Sequence, residues 1–287
     1  MRDSDLLVQA PALAPEALAL LAQRLHAGAV IPCGTGTPPA YRFPVAGDEV
    51  SRRTAATEFA CDAAAIPPDR RLDHVGLVAM DMDSTLITIE CVDEVADLLG
   101  IKPMVAAITQ SAMRGEIEFA ESLRRRVGLL AGIPVAALAS IYDERLQLSP
   151  GAERMLAGFK AAGAKTALLS GGFTYFTDRL KARLGLDYAV ANTLEVEDGK
   201  LTGRIAGAIV DAGVKAATLR RLKQELCGAD ENEAGKLAVA IGDGANDLPM
   251  FAEADVSVAY RAKPVVRAQA THTIDHCGLD AVLNLFR

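Results

Sequence analysis

Four short apolar runs, each ending in a polar turn, constrain the fold of this 287-residue chain more than any other feature of its sequence. They are VGLVAMD (75–81), KTALLSG (165–171), KLAVAIGD (236–243) and DVSVAY (255–260). Strands that are buried on both faces of a parallel sheet have this nearly continuous apolar pattern. Amphipathic helical patterns fit between most of the runs. The alternation predicts an α/β fold with a doubly wound, mainly parallel, Rossmann-like sheet, and ligands at the carboxyl ends of its strands.

Two stretches depart from this alternation and predict additional units. Between residues 91 and 149 the chain has four helical patterns punctuated by Gly or Pro and no convincing strand. An insertion at this point is typical of a lid, so we expect a helical cap over 91–149. Residues 1–74 carry turn signals, strand patterns and helical patterns at 15–28 and 51–65, and they end in the linker IPPDRRLD. They predict a small α+β N-terminal domain, which leaves 75–90 and 150–287 for the core.

Composition argues against several classes of function. The net charge is −7 and both signs are interspersed, so the chain lacks the basic block that nucleic-acid binding requires. No apolar run is long enough to cross a bilayer, and the first residues lack a basic leader. Five cysteines without a CxxC pair indicate reduced thiols and a cytoplasmic location. We therefore expect a small-molecule ligand, while the oligomeric state stays open.

The strongest chemical signal is DMDSTL (81–86), directly after the first apolar run. Alternate residues of an extended chain point the same way, so Asp81 and Asp83 would face one space. Two such carboxylates are costly unless a metal or a proton offsets their charges. A nucleophile beside a proton donor and acceptor would have this arrangement. The alternative is an Asx turn in which Ser84 and Thr85 cap the next helix.

Three further segments supply the residue types of a phosphate or metal site. GDGAND (242–247) offers the hard oxygens of Asp243 and Asp247, which Mg²⁺ prefers, although an ordinary capped turn is the alternative. Ser170 and Gly171 can offer a hydroxyl and an N–H group to a phosphoryl oxygen, or they can simply turn into a helix. Lys215 opposes the dipole near a predicted helix start, whereas an exposed lysine is the ordinary case. Because parallel strands end at one edge, these segments together predict a phosphoryl-transfer site.

These motifs resemble those of a known family. DMDSTL, LLSGG, a following lysine and GDGANDLPM are similar to the four motifs of the haloacid dehalogenase superfamily. Within that superfamily, region 76–287 resembles the enzymes that hydrolyse free phosphoserine, through DMDSTLI, MRGEIEFAESLRRRVGLLAG and SGGF. Residues 1–74 resemble, less closely, the variable amino-terminal extension of bacterial members. The resemblance implies hydrolysis of phosphoserine through a phospho-aspartate, the last step of serine biosynthesis, or reaction of another small phosphometabolite, including phosphotransfer.

The resemblance also implies roles for the carboxylates. Asp81 would be the nucleophile and a Mg²⁺ ligand. Asp83 would protonate the leaving serine and then activate water, while its backbone carbonyl binds Mg²⁺. Asp243 would complete the protein ligands, and Asp247 would support the site from its rim.

Substrate binding is implied by the same resemblance. The groups that would hold the phosphoryl oxygens or lie beside them are Ser170, Gly171, Lys215 and Asn246. Glu90 would bind the substrate ammonium and Arg126 its carboxylate. At about 100° per residue, Arg126 falls on the apolar face of its helix, where an arginine requires an anionic partner. That partner is either the substrate or a neighbouring Glu, and an acid at Glu90 is also favoured by the helix dipole alone.

Overall fold

The computed structural model describes residues 4–34, 38–46, 48–228 and 235–287. Its strands are β1 (Asp5–Gln9), β2 (Ile31–Cys33), β3 (Ala40–Ala46), β4 (Asp62–Ile66), β5 (Val75–Met80), β6 (Lys165–Phe173), β7 (Tyr188–Glu197), β8 (Lys200–Ala206), β9 (Leu237–Gly242), β10 (Val256–Tyr260) and β11 (His272–Ile274). Its α-helices are α1 (Pro15–Arg24), α2 (Glu49–Phe59), α3 (Cys91–Leu98), α4 (Lys102–Met113), α5 (Phe119–Gly128), α6 (Ala136–Ser140), α7 (Ala152–Ala161), α8 (Thr174–Leu184), α9 (Ala212–Cys227), α10 (Leu248–Glu253) and α11 (Pro264–Arg267). Shorter helical turns cover Leu72–His74, Met82–Leu86, Ile141–Arg145, Ala245–Asp247 and Leu279–Leu285.

The central sheet has seven strands in the order β11-β10-β9-β5-β6-β7-β8. Neighbouring strands from β11 to β7 are parallel, and β8 is antiparallel to β7. The four predicted runs are β5, β6, β9 and β10, and every residue of β5 and β10 is buried. Helices cover the sheet, so the predicted α/β class with a mainly parallel sheet is confirmed. In this order β6 lies on one side of β5 and β9 lies on the other. The loops after these strands therefore separate beside β5, and this switch point leaves a space where a ligand can bind.

Three sheet strands lie outside the four predicted runs. β11 has only three residues, too few to show a periodic pattern. β7 is largely half-buried and polar, because it leaves the sheet and continues into a hairpin with β8. The turn of that hairpin is Asp198-Gly199, with φ of 48° and 73°, which matches the tight turn that such a pair favours.

The N-terminal part forms a separate antiparallel sheet in the order β2-β3-β1-β4. Helices α1 and α2 pack with it around an apolar cluster that includes Leu6, Leu21 and Phe43. The helix predicted at 51–65 is too long, because α2 ends at Phe59 and Ala60 adopts a left-handed φ of 48°. The alternating burial of Asp62–Ile66 then places these residues in β4. Propensity favoured a continuous helix here, and pairing with β1 overrides it.

The insertion between β5 and β6 contains α3, α4, α5 and α6, which we call the cap helices. The segment after α5 hydrogen-bonds to the β7–β8 hairpin, with Gly132 N–H to Leu201 O and Leu201 N–H to Ile133 O both at 2.8 Å. This pairing secures the cap helices at the edge of the sheet and leaves α4 and α5 beside the carboxyl ends of its strands. Among the described helices, none has both the length and the apolar character needed to cross a membrane.

Candidate active site

A pocket of about 340 Å³ opens between the strand ends of the central sheet and the cap helices. We call the side formed by the loops after β5, β6 and β9, together with the start of α9, the core end. We call the side formed by Glu90, α4 and α5 the cap end. The structure brings every predicted site residue to one or other of these two ends. Those that line the pocket directly are Asp81, Asp83, Glu90, Arg126, Gly171, Asp243 and Asn246.

Asp81 lies at the centre of the core end, directly after β5. Its N–H donates to Ile241 O at 3.0 Å, which extends the pairing of β5 with β9 by one residue. One carboxylate oxygen, Oδ1, accepts the Met82 N–H at 2.7 Å. The other, Oδ2, accepts from Asn246 Nδ2 at 3.2 Å and lies 2.9 Å from Lys215 Nζ. The side chain is thereby held in one orientation at the edge of the sheet.

Lys215 provides the buried positive charge of the core end. Its Nζ lies 2.6 Å from Asp247 Oδ1 and 2.9 Å from Asp81 Oδ2, and the side chain is 1% exposed. Burial by itself would lower the pKa of Lys215, but the charges of the two carboxylates outweigh it and raise that pKa. Lys215 is therefore a buried cation, and the alternative of an exposed lysine is wrong.

Asp247 builds the loop that carries Asp243. Its Oδ2 accepts the N–H groups of Asp243 and Gly244, both at 3.1 Å, while Oδ1 accepts from Lys215. A Cβ at Gly242 would lie 2.3 Å from Asp247 Oδ2, so the close approach requires glycine at that position. Burial first, and then the charge of Asp81, raise the pKa of Asp247 to about 7, although Lys215 opposes the shift. With both oxygens occupied and no exposed surface, Asp247 is a buried support of this loop rather than a residue at the rim of the site.

The core end holds an acidic cluster with the composition of a cation site. Carboxylate oxygens of Asp81, Asp243 and Asp247 lie within 4.8 Å of one another. Thr85 Oγ1 donates to Asp243 Oδ1 at 3.0 Å, and burial together with the charge of Asp81 raises the pKa of Asp243. Three clustered carboxylates beside one lysine leave excess negative charge, which a divalent cation with oxygen ligands would neutralise. Because Asp247 already uses both oxygens, Asp81 and Asp243 are the side chains that best fit such an ion.

Asp83 lies beside this cluster and has different surroundings. Its Oδ1 accepts the Cys91 N–H at 2.9 Å, at the start of α3. Burial, then the charge of Glu90 and, to a smaller extent, that of Asp81 raise the pKa of Asp83 to about 8, so the protonated acid predominates at neutral pH. A Cβ at Gly172 would lie 2.9 Å from Asp83 Oδ2, so glycine there leaves room for the carboxyl group. A protonated carboxyl next to an ionised one suits proton donation to a leaving group.

The stretch of β6 between Leu169 and Phe173, where its pairing with β7 is interrupted and which we call the β6 loop, contributes Ser170 and Gly171. Ser170 Oγ is buried and accepts the Gly172 N–H at 2.8 Å, which leaves the hydroxyl proton for another acceptor. Asn192, a residue that the sequence did not single out, supports this loop from β7. Its Nδ2 donates to Gly171 O at 2.8 Å, and its Oδ1 accepts the Val210 N–H at 2.7 Å. The side chain thus ties the β6 loop to the segment that leads into α9.

The cap end presents an arginine without an ionic partner. Arg126 Nε donates to Ser122 O at 3.4 Å, and Arg126 takes part in none of the ion pairs found in the described residues. Burial lowers the pKa of Arg126 despite the acidic groups nearby. The neighbouring Arg125 instead pairs with Glu121 at the surface, at 2.7 Å. The alternative of a structural carboxylate partner for Arg126 is therefore not observed, and its guanidinium faces the pocket.

Glu90 supplies the negative charge at the cap end. It precedes α3, where the helix dipole favours an acid, but its side chain makes no capping hydrogen bond to the helix. Its Oε1 accepts from Ser84 Oγ at 2.7 Å. Although Glu90 borders the open pocket, the protein around it desolvates the carboxylate and raises its pKa, an effect that the Ser84 hydrogen bond partly offsets.

Sequence reasoning missed several residues of the pocket wall. Phe119 places its ring 3.4 Å from the position of a Cβ at Gly171, and Thr109 contributes from α4. Lys263 lies beside Asp243, to whose carbonyl its N–H donates at 3.2 Å, and its charge partly offsets the rise in the pKa of the Asp243 carboxyl. Thr109 and Lys263 belong to no motif that the sequence shows. Only Phe119 lies within a recognisable run, MRGEIEFAESL.

Comparisons with known proteins agree with this geometry. A family model described as haloacid dehalogenase-like hydrolase matches residues 78–252. A phosphoserine phosphatase of Polaromonas sp. is 52% identical over 225 residues, which cover 77% of this chain and 93% of that protein. The crystal structure of a haloacid dehalogenase family hydrolase from Salmonella enterica serovar Typhi superposes with a TM-score of 0.87 at 36% identity, over 99% of this chain and 98% of that one. A phospho-aspartyl intermediate analogue of phosphoserine phosphatase superposes with a TM-score of 0.66 at 36% identity, over 74% and 99% of the two chains.

Proposed function

The chain belongs to the haloacid dehalogenase-like hydrolases, and we propose that within this family it is a phosphoserine phosphatase, which hydrolyses O-phosphoserine to serine and phosphate. The observation that carries the proposal is the pairing of the two pocket ends. The core end has a carboxylate nucleophile, a proton donor and a buried lysine, and the cap end has an unpaired arginine and a carboxylate. The first set suits a phosphate ester, and the second suits the carboxylate and ammonium of an amino acid.

The nucleophile proposed is Asp81. One of its oxygens forms a bond to phosphorus while the bond from phosphorus to the serine oxygen breaks, and the product is a phospho-aspartate. Asp83, protonated at neutral pH, gives its proton to the departing serine oxygen. Asp83 then accepts a proton from a water whose oxygen bonds to phosphorus, and the bond to Asp81 breaks. The two steps together return both carboxyl groups to their starting states.

The charge of the phosphoryl group is offset by groups at the core end. Lys215 is already positioned by Asp81 and Asp247, so its charge is available without rearrangement. Ser170 contributes its hydroxyl proton, and Gly171 its N–H, while Asn246 orients Asp81 from the other side. Donors held in this way stabilise charge that develops in the transition state more than donors that must first reorganise.

We propose Mg²⁺ as the cation, held by the carboxylates of Asp81 and Asp243 and by the backbone carbonyl of Asp83. The support is the cluster of carboxylate oxygens and the excess negative charge around it. When bound, Mg²⁺ would neutralise Asp81 and one phosphate oxygen, so that an anion can approach an anion.

At the cap end, we propose that Arg126 binds the carboxylate of phosphoserine and Glu90 its ammonium. The planar guanidinium can donate two parallel hydrogen bonds to a carboxylate. Glu90 and Arg126 line the cap end of the pocket, and the groups proposed to hold the phosphate of the substrate belong to its core end. One substrate molecule can therefore reach both ends.

The remaining proposals concern organisation and location. We propose an N-terminal extension over 1–74, a core over 75–90 and 150–287, and a cap over 91–149 that closes on the substrate. A cytoplasmic location and a role in serine biosynthesis follow from the proposed reaction. All five cysteines belong to the described part of the chain and are free, which suits a reducing compartment.

The test is phosphate release from phosphoserine by the purified chain, with and without Mg²⁺, for wild type and Asp81→Asn. We expect turnover by wild type that chelation removes. We expect a loss on the order of 10⁴-fold or more in Asp81→Asn, because the nucleophile is gone. Both proteins require the same purification, so that host phosphatase contributes equally. Undiminished turnover by Asp81→Asn would contradict the nucleophile, and transfer of phosphate to an added alcohol would redefine the reaction as phosphotransfer.

A further inference from the structure

Ser84 has a backbone conformation that its residue type does not favour. Its φ is 55° and its ψ is 1°, in the left-handed region where a Cβ is crowded and glycine is the usual residue. The conformation is held by the Ser84 N–H, which donates to Ile89 O at 3.2 Å and closes the loop between the two positions. A serine kept in a glycine-like conformation beside a reactive centre points to a use for its side chain.

The side chain of Ser84 makes one hydrogen bond, and its partner is Glu90. Ser84 Oγ donates to Glu90 Oε1 at 2.7 Å, the usual distance for a hydroxyl hydrogen bond. Among the described residues, no other group donates to the Glu90 side chain, which also makes no capping bond to α3. The left-handed turn is thus what brings the hydroxyl under Glu90, and the hydroxyl is what orients the carboxylate.

We propose that Ser84 is a positioning residue that sets selectivity for substrates with an amino group. By holding Oε1 of Glu90, it directs Oε2 toward the pocket, where the ammonium of the substrate binds. The arrangement links recognition to chemistry, because Ser84 follows Asp83 directly in the chain. This inference rests on the proposed function, since it assigns the ammonium of phosphoserine to Glu90.

The variant that isolates the hydroxyl is Ser84→Gly. Glycine adopts the same positive φ without strain, so the turn is kept and only the side chain is lost. We compare kcat/KM for phosphoserine with kcat/KM for 3-phosphooxypropanoate, which is phosphoserine without its amino group. We expect the ratio of the two to fall by about tenfold in Ser84→Gly, chiefly through a higher KM for phosphoserine, with a smaller loss on the other ester. Ser84→Ala, which also lacks the hydroxyl, should change the ratio in the same direction.

Two controls separate this role from a structural one. Ala60→Gly relieves the left-handed backbone conformation of a residue in the N-terminal part, far from the pocket residues in the chain. This variant should leave the ratio of the two kcat/KM values unchanged. In a Glu90→Ala background, Ser84→Gly should cause no further loss of selectivity, because Ser84 acts through Glu90. Equal losses on both esters in Ser84→Gly, or an undiminished effect without Glu90, would overturn the inference. A wild-type enzyme indifferent to the amino group would overturn the proposed substrate as well, so the two failures are distinguishable.

Discussion

The two cations of the pocket differ in how the protein treats them. Lys215 at the core end is 1% exposed and pairs with two carboxylates, at 2.6 and 2.9 Å. Arg126 at the cap end has one hydrogen bond to a carbonyl, at 3.4 Å, and no carboxylate partner among the described residues. Lys215 is buried and Arg126 is half-buried, and a charge withdrawn from water is costly unless an opposite charge offsets it. The protein offsets the first charge itself, whereas none of its described carboxylates pairs with the second.

This difference indicates a division of labour between the fold and the substrate. Groups that stabilise a transition state are most effective when they are oriented before the reaction, and the core end has that property. Groups that recognise a substrate gain most when an unpaired charge is satisfied only by the correct ligand. The carboxylates follow the same rule, since Asp247 has both oxygens occupied and Glu90 has one.

The largest expected effect comes from removing the cation of the core end. Lys215→Met keeps the apolar length of the side chain but leaves Asp81 and Asp247 without their buried partner. We expect the free energy of unfolding to fall by roughly 3–5 kcal/mol, and phosphatase activity to fall on the order of 10³-fold or more. Chemical denaturation without metal and phosphate release measure the two losses.

The matched control for that variant is Lys165→Met. Lys165 pairs with Asp187 at 2.8 Å, but its side chain is 51% exposed. An exposed pair contributes about 0–1 kcal/mol, so Lys165→Met should have little effect on stability. If the two variants were equally stable, the core end would not depend on its buried ion pair.

The next effect concerns the cation of the cap end. Arg126→Ala should reduce kcat/KM for phosphoserine by roughly 100-fold, because a charge-assisted bond to the carboxylate is worth about 1.5–3 kcal/mol and the pocket is partly desolvated. The loss on p-nitrophenyl phosphate, which has no carboxylate, should be much smaller. In contrast to Lys215→Met, Arg126→Ala should cost little stability, because no ion pair is broken. Equal losses on both substrates, together with marked destabilisation, would make Arg126 a structural residue and would remove the contrast.

The last expected effect is a dependence of stability on pH in the metal-free protein. Burial raises the pKa of Asp83 from 3.8 to about 8, so the folded chain holds a proton that the unfolded chain releases. The contribution of Asp83 to the free energy of unfolding is fully present below about pH 4 and is lost as the pH rises through about 8. Asp247, with a pKa of about 7, acts in the same direction. Asp83→Asn should flatten the decline of the melting temperature between these limits in EDTA, and an unchanged slope would contradict the protonated state of Asp83.

Much of the core end could be predicted from the sequence, because its residues lie in short motifs at the ends of apolar runs. Asp81 and Asp243 follow recognisable strands and Ser170 lies near the end of another, and strand ends of a parallel sheet meet at one edge. Lys215 lies in no such motif, and its importance was indicated by the resemblance of the chain to the four motifs of the family. No motif marked Asn192, which lies within β7 and whose three hydrogen bonds join that strand to Gly171 and Val210.

The cap end was less accessible. The helical periodicity placed Arg126 on the apolar face of α5, but it left open whether a protein carboxylate or a ligand would satisfy the charge. The hydrogen bond from Ser84 to Glu90 depends on a left-handed φ that no residue pattern announces, since serine is rare in that conformation. Lys263 and Thr109 likewise reach the pocket only because distant segments fold against one another.

The sequence by itself determined the class of the fold and the inventory of reactive groups, because hydrophobic periodicity and short motifs are local properties of the chain. Only the tertiary structure decided which charges are paired, which are left without a partner and which carboxyl groups, such as Asp83 and Asp247, have a raised pKa. Those properties depend on burial and on distances of about 3 Å between residues far apart in the chain, and such distances exist only once the sheet and the cap helices have packed together.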